Sequence, residues 1–257
     1  LTVTPLPETL HWQEDPWGNW IARCLFRDPL VELDVKVDLV ADLAPLNPFD
    51  FLVLPEAEKT PIEYADDLRG VLQPYLQSDP PGPKHTELLA SLDALGTEAV
   101  PFIVSLNQRL QREIRYQQRP HPGVWSPEET LERGEGSCRD TAWLLVQTLR
   151  QVGLASRFVS GYLIQLDVET KSSYPERRKT NDEVALHAWA EVYLPGAGWI
   201  GLDPTSGFLT AEGHIPLAVG HEPAAAAPIS GSTDHCTPRL RFEMTVERIG
   251  CASEALS

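Results

Sequence analysis

Cys138, His187 and Asp203 are of the types, and in the order, that make a cysteine nucleophile with its base and its orienting carboxylate. Cys138 lies in Gly134-Glu135-Gly136-Ser137-Cys138-Arg139-Asp140, just before an apolar helical run. His187 follows in Leu186-His187-Ala188-Trp189, and Asp203 in Gly201-Leu202-Asp203-Pro204-Thr205. The thiolate, not the thiol, is the reactive form of cysteine, and a helix N-terminus stabilises it through unpaired backbone N–H groups and the helix dipole. An imidazole can take the thiol proton and return it to a leaving amine, while a carboxylate fixes the ring's orientation. Gly134 and Gly136 permit the close turn and leave space above the sulfur, and the Cys138 backbone N–H is a candidate oxyanion donor.

Each residue also has a structural reading. Buried cysteines are commonly inert, a strand histidine is often structural, and Asp-Pro often ends a strand. The three together, in their flanking motifs, favour catalysis over a structural remnant. Cys24, Cys236 and Cys251 lack such a context. Trp189 and Tyr193 share the strand face of His187 by parity and suit packing around the imidazole or in the core. Trp125 and Tyr116, upstream of the nucleophile, are candidates for a donor or a cleft wall, and the sequence does not choose between them. Asp140 in a helix's first turn needs no catalytic reason. His214 and His221 read first as exposed loop histidines, with lining the site as the alternative.

The elements that must position these groups follow from local pattern. A helix is predicted from Ser137 or Cys138 to near Gly153, its buried stripe formed by Ala142, Leu145, Val146, Leu149 and Val152. Strands are predicted at Arg157–Leu166, Ala185–Leu194 and Trp199–Leu202. The last two flank Pro195-Gly196-Ala197-Gly198, so their register decides whether His187 and Asp203 meet. A four-residue loop would pair Leu194 with Trp199 and put the two side chains on opposite faces. A three-residue loop pairs Leu194 with Gly198 and places Asp203 opposite Trp189, diagonal to His187. The triad therefore requires a bulge or an odd-length loop at Gly196 or Gly198.

Upstream, Leu10–Phe26 reads as a hairpin around Asp15-Pro16-Trp17-Gly18-Asn19. Val31, Leu33, Val35, Val37 and Leu39 alternate with charged residues, the pattern of a half-buried strand. Residues 45–85 are rich in Pro and acidic residues, with 78–83 as a linker. Helices are predicted at Glu87–Leu95, at Ala99–Ile114 and from Ser126, where Ser-Pro-Glu-Glu supplies an N-cap, Pro at N1 and early carboxylates. Residues 171–183 and the alanine run at 224–227 read as loops, and Leu240–Ile249 as a final strand. The expected division is a β-rich N-terminal region over 1–83, open at its start, and a second domain over 84–257 ending in that strand.

Twenty-one basic residues against 37 acidic ones give a formal charge of −16, which argues against nucleic-acid and anionic-membrane partners. No apolar stretch approaches the roughly 18–20 residues that span a bilayer, and Leu1-Thr2-Val3-Thr4-Pro5 shows no signal-peptide pattern. A cytoplasmic protein is expected, processed or cut from a longer chain because residue 1 is not Met. The four cysteines form no Cys-x-x-Cys pair, so neither a disulfide scaffold nor a structural zinc site is expected, and no cofactor is implied.

Four segments resemble the bacterial transglutaminase-like superfamily: residues 134–140, 154–162, 187–193 and 198–205, in the family's order, with its Cys, His and Asp on Cys138, His187 and Asp203. Residues 1–50 resemble, more loosely, the β-rich region that accompanies bacterial members. The resemblance implies an α+β, papain-like core in which a helix carrying the cysteine packs on an antiparallel sheet carrying the histidine and aspartate. It also implies acyl transfer from peptide or glutaminyl amides through a thioester, resolved by water in a peptidase or amidase and by an amine in a cross-linking transglutaminase. Water is the mildly favoured acceptor, because no amine-binding feature is readable. Two departures from the family stand out: the 171–183 insertion and Gly220-His221-Glu222-Pro223, where a basic residue is expected near His221. The competing reading is a catalytically silent interaction module; a zinc protein is a distant third.

Overall fold

The computed structural model describes residues 1–119, 122–166, 182–232 and 239–249. Its N-terminal part holds two small antiparallel pairs, β1 (Thr2–Thr4) with β4 (Asp34–Lys36) and β2 (Thr9–Glu14) with β3 (Trp20–Leu25). The second pair is the expected hairpin, and Asp15 closes its turn by accepting from the Trp17 and Asn19 N–H groups, both at 2.8 Å. The half-buried strand expected over 31–39 is not formed at that length. Only Asp34–Lys36 is a strand, and Val31, Leu33, Val35, Val37 and Leu39 are all exposed. Among the described residues its one strand partner, β1, is three residues long, and the apolar side chains stay exposed.

Helix α1 (Asp66–Leu76) falls inside the Pro- and acid-rich stretch for which no helix is predicted, where a Pro at 74 in the last turn hides the helical pattern. Residues Ala57, Ile62, Tyr64, Leu72 and Tyr75 belong to the same hydrophobic cluster as Phe102, Leu106 and Leu149. Tyr64 ties this segment to the sheet, its hydroxyl accepting from the Ala155 N–H at 2.9 Å and donating to the Tyr193 carbonyl at 3.0 Å. Then come α2 (Pro83–Ala90), α3 (Ala99–Glu113), β5 (Arg115–Tyr116), α4 (Pro127–Arg133) and β6 (Glu135–Gly136). Helix α5 (Cys138–Gln151) is the helix expected from Ser137 or Cys138, with Cys138 at its first position. Leu144, Leu145, Val146 and Leu149 on it are fully buried, and each such side chain contributes about 1.5–3 kcal/mol by leaving water.

Helix α5 packs on an antiparallel five-stranded sheet with order β10-β9-β8-β7-β11. The strands are β7 (Ser156–Gln165), β8 (Glu183–Leu194), β9 (Gly198–Asp203), β10 (Phe208–Leu209) and β11 (His214–Gly220). Ala188, Ala190, Val192 and Leu194 of β8 join the core with α5, and His187 and Trp189 alternate with them. The architecture is thus the α+β arrangement expected. Two further elements differ. His214 and its neighbours form β11 rather than a loop, and residues 240–249 form no strand because no sheet edge pairs with them. The loop expected over 171–183 lies largely outside the described residues, as do Cys236 and Cys251. Among the described residues, no helix is long and apolar enough to cross a membrane.

Candidate functional site

The approach to Cys138 is built from short-range rules. Ser126 caps α4 by accepting from the Glu129 N–H at 3.1 Å, and Gly134 ends that helix in the left-handed region at φ 62°. Two residues of β6 then pair in parallel with β5, placing Tyr116 beside Gly136, and Cys138 opens α5. Asp140, fully buried, reaches back to accept from the Ser137 N–H at 2.9 Å and the Ser137 hydroxyl at 2.7 Å. Its carboxylate also takes the Trp125 N–H at 2.8 Å and a two-nitrogen contact from Arg119 at 2.7 and 3.1 Å. Burial would raise the Asp140 carboxyl, but the Arg119 and Ser137 bonds outweigh it and hold the group below its ordinary range. Asp140 therefore does more than favour the helix dipole. It fastens the segment around Arg119 and Trp125 to the start of α5.

His187 and Asp203 meet because of the turn. Leu194 pairs with Gly198, leaving a three-residue loop, and the ladder runs through Ala190↔Leu202. This is the odd-length loop the triad requires, with Gly196 at φ 91° and Gly198 at φ 79°. Asp203 is consequently diagonal to His187, and its Oδ2 lies 3.2 Å from His187 Nε2. The N–H direction is off line for a hydrogen bond at that distance, so the contact is mainly one between charges. The other carboxylate oxygen, Oδ1, accepts from the Thr205 N–H at 2.9 Å and its hydroxyl at 2.7 Å. Asn107 on α3 donates to the Asp203 carbonyl at 3.3 Å.

Burial by itself would push the His187 imidazole down; its contacts with Asp203 and with the Cys138 thiol override this and hold it at about 9. Asp203 feels the converse. Burial would raise it, and His187, His214 and Thr205 together hold it well below the usual carboxylate range. Cys138 and His187 are each only 9% exposed and Asp203 1%, so these interactions act in a poorly screened place.

The weaker candidates divide. Trp189 is buried with its ring 6.2 Å from His187. Tyr116 is half-exposed; burial first, then the nearby Cys138 and Asp203 charges, raise its phenol and keep it a donor. Trp125 is not brought against His187 or Asp203; its ring stacks with Arg119 and Arg133, whose guanidinium carbons lie 4.6 and 4.4 Å from the ring centroid. Tyr193 packs with Trp199 and Tyr64 at the far end of β8. His214 is not the exposed loop residue that the sequence pattern first suggests. It starts β11, with Nε2 3.4 Å from Asp203 Oδ2 and its ring edge-on to Trp189. The alternation of Ile215, Leu217 and Val219 was the available signal for that strand.

Residues 87–204 match the model of the transglutaminase-like superfamily. This central part of the chain, somewhat under half of its length, is thus similar to the core of that superfamily. Over its whole length it is 26% identical to an uncharacterised protein of Mycobacterium tuberculosis, covering 82% of that protein. A second uncharacterised relative, from Mycobacterium leprae, is 26% identical over 89% of this chain and 78% of its own. Among solved structures, a candidate cysteine protease from Cytophaga hutchinsonii aligns with 67% of this chain and 53% of its own, at 20% identity and a TM-score of 0.49. The periplasmic domain of TgpA from Pseudomonas aeruginosa aligns over 56% of this chain and 51% of its own, at 25% identity and a TM-score of 0.41. The chain thus spans about half the length of these two solved chains.

Proposed function

We propose that this protein is a cysteine-dependent amide hydrolase or acyltransferase with Cys138 as nucleophile, His187 as base and Asp203 as orienter. The observation that carries the reading is the buried His187 ring 3.2 Å from the Asp203 carboxylate, with Cys138 among the groups that raise its basicity. His187 accepts the thiol proton, and its raised basicity suits an imidazolium held beside a thiolate. The sulfur attacks an amide carbonyl carbon, and the carbonyl oxygen becomes an oxyanion facing the Cys138 N–H at the helix start. On collapse the carbon–nitrogen bond breaks, the His187 proton goes to the departing amine, and a thioester remains on Cys138. Water then attacks the thioester while His187 takes its proton; the carboxylic acid leaves and the thiol is restored. An amine in place of water would give a new amide. Peptide or glutaminyl amides are the proposed substrates, with water the favoured acceptor because it needs no binding site.

The test is to trap a thioester at Cys138 from a glutaminyl peptide library and follow its decay with water alone and with added amines. Decay unchanged by amines supports hydrolysis, and amide formation supports transfer. Iodoacetamide provides a substrate-free check. Cys138 is expected to be alkylated far faster than Cys24, Cys236 or Cys251, whereas equal labelling of the accessible cysteines would leave a silent interaction module.

A further inference from the structure

Asp203 Oδ2 serves two histidines. His187 approaches from β8 at 3.2 Å and His214 from the start of β11 at 3.4 Å, although β11 lies at the opposite edge of the sheet from β10. The strand order explains the meeting. β11 pairs with β7, and β7 pairs with β8, so His214 lies opposite Leu163 while His187 lies opposite Gly161. Gly161 clears the space between them. A Cβ there would stand 2.1 Å from the Ile215 carbonyl oxygen and 2.8 Å from the Trp189 ring. Trp189 fills the remaining gap, edge-on to His214 with ring centroids 5.3 Å apart.

The hydrogen bonds also settle which His214 nitrogen carries the proton. The Ala211 N–H donates to His214 Nδ1 at 3.3 Å, so Nδ1 must present its lone pair. In the neutral ring the proton then sits on Nε2, the atom that faces Asp203. The side chains of His187, Asp203 and His214 have donor atoms within 4.8 Å of one another, a separation that a metal ion could bridge. The Ala211 bond argues against that use. A metal on Nε2 with a donor already on Nδ1 would need an imidazolate, whereas metal-bound histidines normally donate their second N–H outward.

We propose that His214 is a positioning residue, an Nε2–H donor that anchors Asp203 Oδ2 and takes a share of its negative charge, so moderating the hold of Asp203 on His187. This rests on the triad reading above. The other titratable or charged groups around the carboxylate are Cys138 on α5, Tyr116 on β5 and Arg139, which faces Tyr116. None of them donates to Oδ2 among the hydrogen bonds of the described residues, so His214 is the adjustable partner.

The experiment follows the His187 ring by NMR across pH in the full chain, alongside the pH profile of iodoacetamide labelling at Cys138. With His214→Phe, the charge on Oδ2 falls to His187 alone. The His187 titration midpoint is expected to rise by about half a unit or more, a shift of the size one lost neighbouring donor produces, and the labelling profile is expected to move with it. His214→Gln, which keeps an N–H donor, is expected to restore much of the wild-type midpoint. An unchanged or lower midpoint in a folded His214→Phe protein overturns the proposal. Should His214→Phe not fold, the wild type still decides. Ring nitrogen shifts showing the His214 proton on Nδ1, or stoichiometric zinc bound and lost on His214→Gln, overturn it as well. Failure of the triad reading looks different: Cys138 of the wild type would label no faster than Cys24, and both proposals would fall together.

Discussion

Asp140 and Asp203 are both buried carboxylates, yet they hold different things in place. Asp140 is neutralised by Arg119 and bonded to Ser137 and Trp125, all ahead of helix α5 or at its start. Arg119→Ala would leave that charge buried and unpaired, and a loss of about 3–5 kcal/mol is expected in chemical denaturation. Asp203 instead faces the histidines. If His187 is the base, His187→Ala should slow iodoacetamide labelling of Cys138 by about 10²-fold, the lower end of what a positioned base contributes. Asp203→Asn should slow it less, because the ring remains present and only its orientation and charge partner are lost. Mass spectrometry of the labelled peptide checks both, with the labelling of Cys24 as the internal control.

At the scale of elements, the three-residue turn between β8 and β9 decides whether Asp203 reaches His187. Side chains alternate along a strand, so one added residue turns the whole of β9 over relative to β8. A single glycine inserted after Pro195 is therefore expected to separate Asp203 from His187. The sheet should persist by circular dichroism, while fast labelling of Cys138 is lost. Retained fast labelling in a folded insertion variant would show that the carboxylate is not needed. Helix α5 makes a different demand. Leu149 is fully buried between the sheet and the surrounding helices, and Leu149→Ala should cost about 2–5 kcal/mol without altering the order of cysteine reactivity.

For the whole molecule, the buried site makes stability depend on pH. The His187 imidazole sits at about 9 in the folded protein, against an ordinary value of about 6.5. Its favourable contribution is complete below about pH 6.5 and is lost as pH rises through 9. Asp203 is held low, so its contribution is present above about pH 4 and is lost as the solution becomes more acidic. The Tm difference between wild type and His187→Gln should be widest between about pH 4 and 6.5 and shrink above pH 9. A difference independent of pH would mean that the imidazole is not held charged. The N-terminal hairpin is also tied to the site's sheet: Asn19 exchanges two hydrogen bonds with the backbone of Val219 on β11, at 2.7 and 2.8 Å, and Trp17 packs on Tyr75 and His221. The strand that begins with His214 is thereby held at its other end by residues from the first twenty of the chain.

What could be read from the sequence was what neighbouring residues decide. The cap at Ser126, the helix start at Cys138 and the odd turn that brings Asp203 to His187 depend on stretches of a few residues, where periodicity and turn chemistry act directly. The exposure of the Val31–Leu39 alternation and the missing strand at 240–249 went the other way, because alternation records a capacity to be half-buried and not the presence of a partner. Helix α1 is not legible locally, because Pro74 and acidic residues mask an amphipathic pattern that only packing on the core makes worthwhile. Arg119 on Asp140 and His214 on Asp203 were decided by tertiary structure. Each joins positions 21 and 11 residues apart through chain geometry that no local pattern encodes. The sequence alone therefore determined the identity and order of the proposed catalytic groups, whereas the fold determined the second partners of the buried carboxylates, because a buried charge takes whichever donor the packing delivers to it.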